Sequence, residues 1–436
     1  MTDQTSASEA HVLLARHRQV MPDWMALYYE EPLEIVSGSG RHVVGGDGRT
    51  YLDFFGGLLA TMVGHGVEEI VEAIRSQARK LLHSSTLYLI RQQVELAEKI
   101  AKHSRIPDAR VFFVNSGSEA VETAFLITTT AAKSNQVLAL RGSYHGRTFG
   151  TVATTGIRAW SATSLSPLQV SYVHSGYRYR SPFGALPDEQ FVDACIDELR
   201  TIIETTTSGQ VACMIAEPIQ GAGGFASPPD GFFRRTKAVL DEYGIPLVSD
   251  EIQSGWGRTG RDFFSMHAHG VEPEAITFAK GLANGMSIGG VVASADLMNA
   301  VQANSISTAG GNPLAMAAAN ATLDYILDHE LQANADARGR ELLVGLRSLA
   351  ESHPGIGEVR GEGLMIGVEL VVPGTKTPNV AYTLRILEKA RELGLLIGRG
   401  GLLGNVLRIT PPMSVTKDEC LTALSIVRDV FAQTAP

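Results

Sequence analysis

The sequence predicts an α/β protein: a large domain built on a mostly parallel sheet covered by helices, with a smaller α+β domain beside it. Three observations carry this. Apolar runs of strand length, among them VFFVN (111–115), VACMIAEPI (211–219) and AITFAK (275–280), are continuous rather than alternating. A strand that is apolar on both sides belongs in a sheet covered on both faces. Between these runs lie amphipathic stretches of helical length, such as 117–133, 188–206 and 230–243, and that alternation is the pattern of βα units. Glycine numbers 45 of 436 residues with no Gly-X-Y period, which excludes collagen and points to glycine-rich connections between regular elements.

In chain order, residues 1–30 read as a polar arm followed by a docking segment marked by the aromatic cluster Trp24, Tyr28 and Tyr29. Residues 41–55 read as a hairpin turning at Gly46-Asp47-Gly48. Strands are expected at 111–115, 136–142, 211–219, 245–252, 275–280 and 289–294. The small-residue helix 312–327 opens with Pro313, whose missing N–H matters little in a first turn. Beyond it, 364–370, 395–399 and 405–409 read as strands around helices 379–393 and 416–433, the last opened by the capping box Thr416–Glu419. The domain organisation expected is an arm and hairpin over 1–60 belonging to the small domain, a large domain over 61–328 and a C-terminal small domain over 329–436.

Composition narrows the function. Apolar residues at 44% and charged residues at 19% exclude a largely disordered chain. The net charge of −9, from 37 basic and 46 acidic side chains, argues against a nucleic-acid partner, which needs a basic surface to displace counterions. Cys195, Cys213 and Cys420 lie far apart and form no CxxC pair, so a reducing compartment fits. No signal-peptide core and no run of 18 apolar residues occurs. A soluble, cytoplasmic protein with no membrane partner is expected.

Three positions can carry chemistry. At Ser116-Gly117-Ser118 a strand gives way to a helix whose first turn leaves backbone N–H groups unpaired. Those donors, the hydroxyls and the helix dipole suit a phosphate, although Ser116 with Glu119 equally fits a simple capping box. Asp250, at the C-terminal end of an apolar strand, stands where open α/β sheets place ligands, or else is an exposed strand terminus. Lys280, which ends AITFAK, either snorkels into water or is desolvated, and desolvation would free a neutral amine for an imine. One chemistry needs all three together. Pyridoxal 5′-phosphate requires a phosphate cup, a lysine amine for its aldehyde and an acid facing its pyridine nitrogen.

With NSGSEA, RGSYHGRT, EPIQG, IPLVSDEIQSGWGRTG, FAKGLANG and STAGGNP in this order, the sequence resembles the class III aminotransferases from YLDFFGG (51–57) to LRITPP (407–412). LLIGRGG with LRITPP looks nearest to the alanine–glyoxylate aminotransferase branch. The resemblance implies fold type I, with a large-domain sheet of the seven-stranded type, pyridoxal 5′-phosphate as cofactor, and a homodimer or dimer of dimers. It implies that Lys280 binds the cofactor covalently and shuttles the proton, that Asp250 pairs with the pyridine nitrogen, and that Gln253 reaches the ring's phenolic oxygen. Ser116, Gly117 and Ser118 would hold the phosphate. Tyr144 would stack on one face of the ring with His145 beside it, and Ile252 would pack on the other. Thr308 would reach the phosphate of a neighbouring subunit. Arg408 would anchor a substrate carboxylate, and Glu217, grouped with the cofactor-binding residues, would neutralise that arginine while one substrate is absent. Trp256, where phenylalanine is common, would shape the substrate pocket.

The activity implied is a ping-pong transfer of an amino group from an amino acid or amine to pyruvate, glyoxylate or 2-oxoglutarate. A lyase, epimerase or aminomutase of the same family would use the same residues. A nicotinamide-dependent dehydrogenase is a distant alternative. Gly255–Gly260 spells GxGxxG after a strand, but RDFFSMHAHG beyond it does not read as the helix that this fingerprint needs. No metal site is expected, since HExxH is absent and His267 and His269 are only two positions apart.

Overall fold

The computed structural model describes residues 2–436, so Met1 of the expected arm lies outside them. The arm is helical over Thr2–Val20. Of the aromatic cluster that follows, Tyr28 stacks on Phe55 with ring centroids 5.7 Å apart and meets Tyr29 edge-on, whereas Trp24 stays 74% exposed. Strands β1 (Ile35–Ser39), β2 (His42–Gly45) and β3 (Thr50–Asp53) pair antiparallel, and β2 and β3 are joined by the expected turn. Gly48 in that turn has φ +76°, a conformation that favours glycine.

The large sheet comprises β4 (Ala109–Val114), β5 (Gln136–Leu140), β6 (Gln169–Val173), β7 (Val211–Ala216), β8 (Leu247–Asp250), β9 (Ala275–Ala279) and β10 (Gly289–Ser294). Its order is β4-β10-β9-β8-β7-β5-β6. Only β10 runs against its neighbours, so the expected mostly parallel sheet is what forms. Every residue of β7 and β9 is buried, which is why both are continuous apolar runs. The helix Gly117–Ala132 packs on this sheet through Val121, Ala124, Phe125 and Thr128. Burying a side chain such as Phe125 contributes about 1.5–3 kcal/mol.

The C-terminal region adds β11 (Ile356–Glu362), β12 (Met365–Leu370), β13 (Leu395–Leu396), β14 (Gly398–Gly400) and β15 (Val406–Ile409). An antiparallel sheet runs β11-β12-β15-β14, while β13 pairs in parallel with β3. The N-terminal hairpin therefore shares a sheet with a strand from the far end of the chain. Thr416 caps the last helix, and both halves of its box with Glu419 are present. Among the described residues no helix is long and apolar enough to cross a membrane.

One consequence positions the site. Because β4, β5, β7, β8 and β9 are parallel, their C-terminal ends lie along one edge of the sheet, where such sheets bind ligands. The reversed β10 begins at that edge with Gly289. A Cβ there would lie 2.3 Å from the Ser116 carbonyl oxygen, so only glycine lets the strand start against the helix entrance.

Candidate active site

The strand ends enclose a cavity of about 510 Å³. Ser116, Gly117, Ser118, Tyr144, His145, Glu217, Asp250, Ile252, Gln253 and Lys280 all line it, together with Leu58, Glu119, Arg147 and Thr148. Three expected residues do not. Thr308 is exposed in its loop. Arg408 stands behind Gln253, to whose Oε1 its Nη2 donates at 2.8 Å. Trp256 is fully buried among Phe263, Phe264 and Phe278, with ring centroids 5.6, 5.2 and 5.6 Å away.

The placement of Trp256 corrects the expectation that it shapes a pocket. Its φ of +67° marks a tight turn, and its indole lies in the aromatic core rather than at the cavity. The same segment disposes of the dinucleotide fingerprint. Gly255–Gly260 is a series of turns, and the next helix, Ser265–Ala268, has only four residues.

Lys280 follows β9 directly and opens a 3₁₀ turn with φ +45°. A left-handed conformation at a residue with a side chain costs about 1–3 kcal/mol and is typical of functional sites. Burial lowers its pKa to about 8; the charge of Arg408 pushes the same way, and Asp250 and Glu217 oppose it. Lys280 is therefore the desolvated lysine of the two readings. Asp250 ends β8 in register with Thr277. Its Oδ2 lies 2.6 Å from His145 Nδ1, and its Oδ1 accepts from Ile252 N at 3.2 Å and Thr277 Oγ1 at 3.3 Å. The carboxylate is buried, not an exposed strand end.

At the helix entrance, Ser116 Oγ accepts from Glu119 N at 3.3 Å, but the capping box is only half made. The Glu119 carboxylate turns instead to Asn115, accepting from its N at 2.9 Å and its Nδ2 at 3.0 Å. Ser118 Oγ accepts from Arg147 N at 3.2 Å. A Cβ on Gly117 would approach Ile252 Cδ1 to 2.8 Å, so the glycine keeps the passage between helix and turn open. Glu217 accepts from Tyr144 N and Gly221 N, each at 2.8 Å. Burial raises its pKa to about 7, with His145 opposing.

These bonds also alter the expected pairing of Glu217 with Arg408. Both Glu217 oxygens are held by backbone donors, and among the described residues Arg408 forms no ion pair within 4.0 Å. Its guanidinium lies over the rings of Phe225, 4.6 Å away, and Phe55, 5.7 Å away.

Sequence reasoning missed Glu251, which lies between two site residues yet faces away from the cavity. It is fully buried, and its carboxyl accepts from Ser254 Oγ at 2.6 Å, Met266 N at 2.8 Å and Ser249 Oγ at 3.3 Å. The turn carrying Asp250, Ile252 and Gln253 is thus pinned from behind. The one available signal was a second carboxylate directly after Asp250, at the end of an apolar segment. Glu251→Ala would strand those donors and is expected to lower stability by about 1–3 kcal/mol in urea unfolding. Burial raises the Glu251 pKa from 4.5 to about 7, so the folded state holds a proton that the unfolded state has lost. Stability from this group is complete below pH 4.5 and is lost as pH rises towards 7. The Glu251→Gln variant should lack that part of the slope.

The residues present fit pyridoxal 5′-phosphate. A desolvated amine, a buried carboxylate oriented by histidine and a glycine-opened helix start share one cavity. His145 Nε2, buried and without a partner among the described residues, is a polar atom left over at its wall. The comparisons agree. The profile of the family described as aminotransferase class-III matches residues 26–431. An Arabidopsis thaliana protein named alanine–glyoxylate aminotransferase 2 homolog 2, mitochondrial, is 36% identical over 414 residues, covering 94% of this chain and 85% of that protein. A Pyrococcus horikoshii alanine/serine racemase is 35% identical over 412 residues, covering 92% of this chain and 86% of its own. An amine transaminase from an uncultivated Pseudomonas species, solved with pyridoxal phosphate bound, has a TM-score of 0.88 at 30% identity, over 95% of this chain and 98% of the other. Sheet order, the chemistry of the cavity and a match running from the docking segment to the last helix lead to one conclusion: this chain belongs to the class-III aminotransferases, enzymes that use pyridoxal 5′-phosphate.

Proposed function

We propose that this enzyme moves an amino group from an amino acid or amine to a keto acid such as pyruvate, glyoxylate or 2-oxoglutarate, in two half-reactions that share one cavity. The observation that carries the proposal is the meeting of Lys280, Asp250 and the Ser116–Ser118 helix start in that cavity. When bound, pyridoxal 5′-phosphate supplies an aldehyde for amines and a ring that takes up the electron pair left by a departing proton. Backbone N–H groups of Gly117 and Ser118, with the hydroxyls of Ser116 and Ser118, hold the phosphate at the helix start. Asp250, oriented by His145, holds a proton at the ring nitrogen. Tyr144 and Ile252 cover the two faces, and the Gln253 amide donates to the phenolic oxygen. Lys280 would hold the cofactor covalently and, once freed by a donor amine, would be the group that moves the proton from the donor carbon. Arg408 pairs with the carboxylate of donor or acceptor. Thr308, exposed and away from its own cavity, serves the site of a second copy in a homodimer.

A matrix of amines against keto acids tests the reaction. Stoichiometric consumption of keto acid is expected, and no turnover with any pair would end the proposal. The relative named as a racemase favours a second reading, inversion of an amino acid. Loss of optical activity with no keto acid present would make that the chief activity.

Arg408→Ala is expected to raise the KM for keto acids by about thirtyfold or more, the effect of truncating one partner of a buried charged pair. An unchanged acceptor KM would remove the anchor. The Lys280 amine must be neutral to attack an aldehyde. Because its pKa lies near 8, covalent capture of pyridoxal 5′-phosphate should speed up through pH 8 and level off above it. A solvent-exposed lysine would keep accelerating to about pH 10.4. Stopped-flow absorbance across that range distinguishes the two.

A further inference from the structure

We propose that Asn284 is a positioning residue for Lys280: its side-chain amide fastens the turn that Lys280 opens to a strap formed by residues 56–64, and so fixes where the amine enters the cavity. The inference rests on the reading of Lys280 as the reacting amine and adds what holds that amine in place.

A lysine carries its nitrogen on a flexible four-carbon stem, so its aim depends on how firmly the backbone beneath it is held. Here that backbone is a short 3₁₀ turn, Lys280–Ala283, bounded by two left-handed residues, Lys280 at φ +45° and Asn284 at φ +46°. Asparagine tolerates this conformation better than most residues, but its side chain does more. Asn284 Oδ1 accepts from Val63 N at 3.1 Å, and Asn284 Nδ2 donates to the Gly64 carbonyl oxygen at 2.8 Å. One amide thus pairs with backbone 221 and 220 positions away, using donor and acceptor together as a neighbouring strand would. Aspartate lacks the donor, and glycine lacks both groups.

The strap is itself fastened on two sides. Gly56, Gly57, Leu58 and Leu59 are four consecutive left-handed residues, with φ of +56°, +56°, +65° and +64°, whereas such residues ordinarily occur singly. Buried Asp53 secures the start of that turn: it accepts from Phe55 N at 3.0 Å and Gly56 N at 2.9 Å, and pairs with His65 Nε2 at 3.0 Å. The C-terminal segment secures the rest, with Met413 N donating to Met62 O and Ser414 Oγ to Val63 O, each at 2.7 Å. On its inner side the strap presses on the lysine turn. A Cβ on Gly281 would lie 2.3 Å from Met62 Cε and 3.0 Å from the Leu59 carbonyl oxygen. Leu58 of the same strap lines the cavity, so one fastened segment sets a stretch of cavity wall and, through Asn284, the exit of the amine.

The test uses two holoenzyme variants. Asn284→Gly keeps the left-handed conformation and loses the amide; Asn284→Ala loses the amide in a residue that tolerates the conformation less well. In both, kcat per bound cofactor should fall about tenfold or more, because a small misplacement of a reacting group is costly. The KM of donor and keto acid should stay within about twofold. The visible circular dichroism of the bound cofactor, which reports how firmly it is oriented, should weaken in parallel. Wild-type kcat and dichroism in Asn284→Gly overturn the proposal, since conformation alone would then suffice. A lower unfolding temperature with kcat per bound cofactor unchanged overturns it too, as does a rise in KM alone. Should Asn284→Gly not fold, Ser414→Ala, which removes one hydrogen bond from the far side of the strap, carries the test. A kcat lowered about threefold then supports the proposal, and a wild-type kcat overturns it. Borohydride labelling with peptide mapping separates the two levels. If the wild type carries no label at Lys280, the reading of Lys280 itself fails; if the label is there and the Asn284 variants behave as wild type, only the role given to Asn284 falls.

Discussion

Lys280→Ala is expected to reduce amino transfer by at least about 10⁴-fold, because the same amine is proposed both as covalent tether and as acid–base group. General acid–base catalysis alone contributes about 10²–10⁴-fold, and no second group is placed to replace it. Asp250 is engaged by His145 at 2.6 Å, and Glu217 is tied to two backbone N–H groups. The amine is reactive because of where the chain puts it. It leaves a fully buried strand and turns at φ +45° into the cavity, where desolvation and the Arg408 charge favour its neutral form. The variant should also lose reducible attachment of pyridoxal 5′-phosphate, seen as absence of label after borohydride treatment and peptide mass mapping. Label at another lysine, or retained turnover, would refute the assignment.

Asp250→Asn is the second large effect. The amide keeps the shape and can still accept from Thr277 and Ile252, but it brings no negative charge to the ring nitrogen. A fall of about 10²–10³-fold in kcat is expected, comparable to removing a preorganised electrostatic contact in a water-poor site. Because His145 Nδ1 and Asp250 Oδ2 are 2.6 Å apart, the change also weakens what orients the imidazole. The substitution should therefore act mainly on kcat, with modest change in donor KM. An equal loss in a His145→Ala variant that retains Asp250 would mean that orientation, not charge, dominates. Steady-state kinetics on both variants decides between them.

Much of the large sheet was legible. β7 and β9 are buried along their whole length, and burial on both faces leaves the continuous apolar runs that sequence reading detects. β6 was not, because it is an edge strand whose QVSYV sequence is half-exposed and carries no such run. β11 and the helix Leu331–Ser352 also went unread. The helix starts straight after Glu330 at φ +51°, with no glycine or proline to separate it from Pro313–Asp328. At the site, Asp250 and Lys280 could be found because both end apolar strands of a parallel sheet, and parallel strands deliver their last residues to one edge.

By itself, then, the sequence determined the βα alternation, the family and the strand-end residues, since each depends on local periodicity or on motifs that survive without knowledge of what packs where. Tertiary structure alone decided which way side chains leave irregular turns. It sent Trp256 into the aromatic core, gave both Glu217 oxygens to backbone donors, set Glu251 behind the turn and left Arg408 facing an amide. Such choices follow from left-handed residues, glycine seats and contacts between residues up to 155 positions apart. No window of neighbouring residues contains that information.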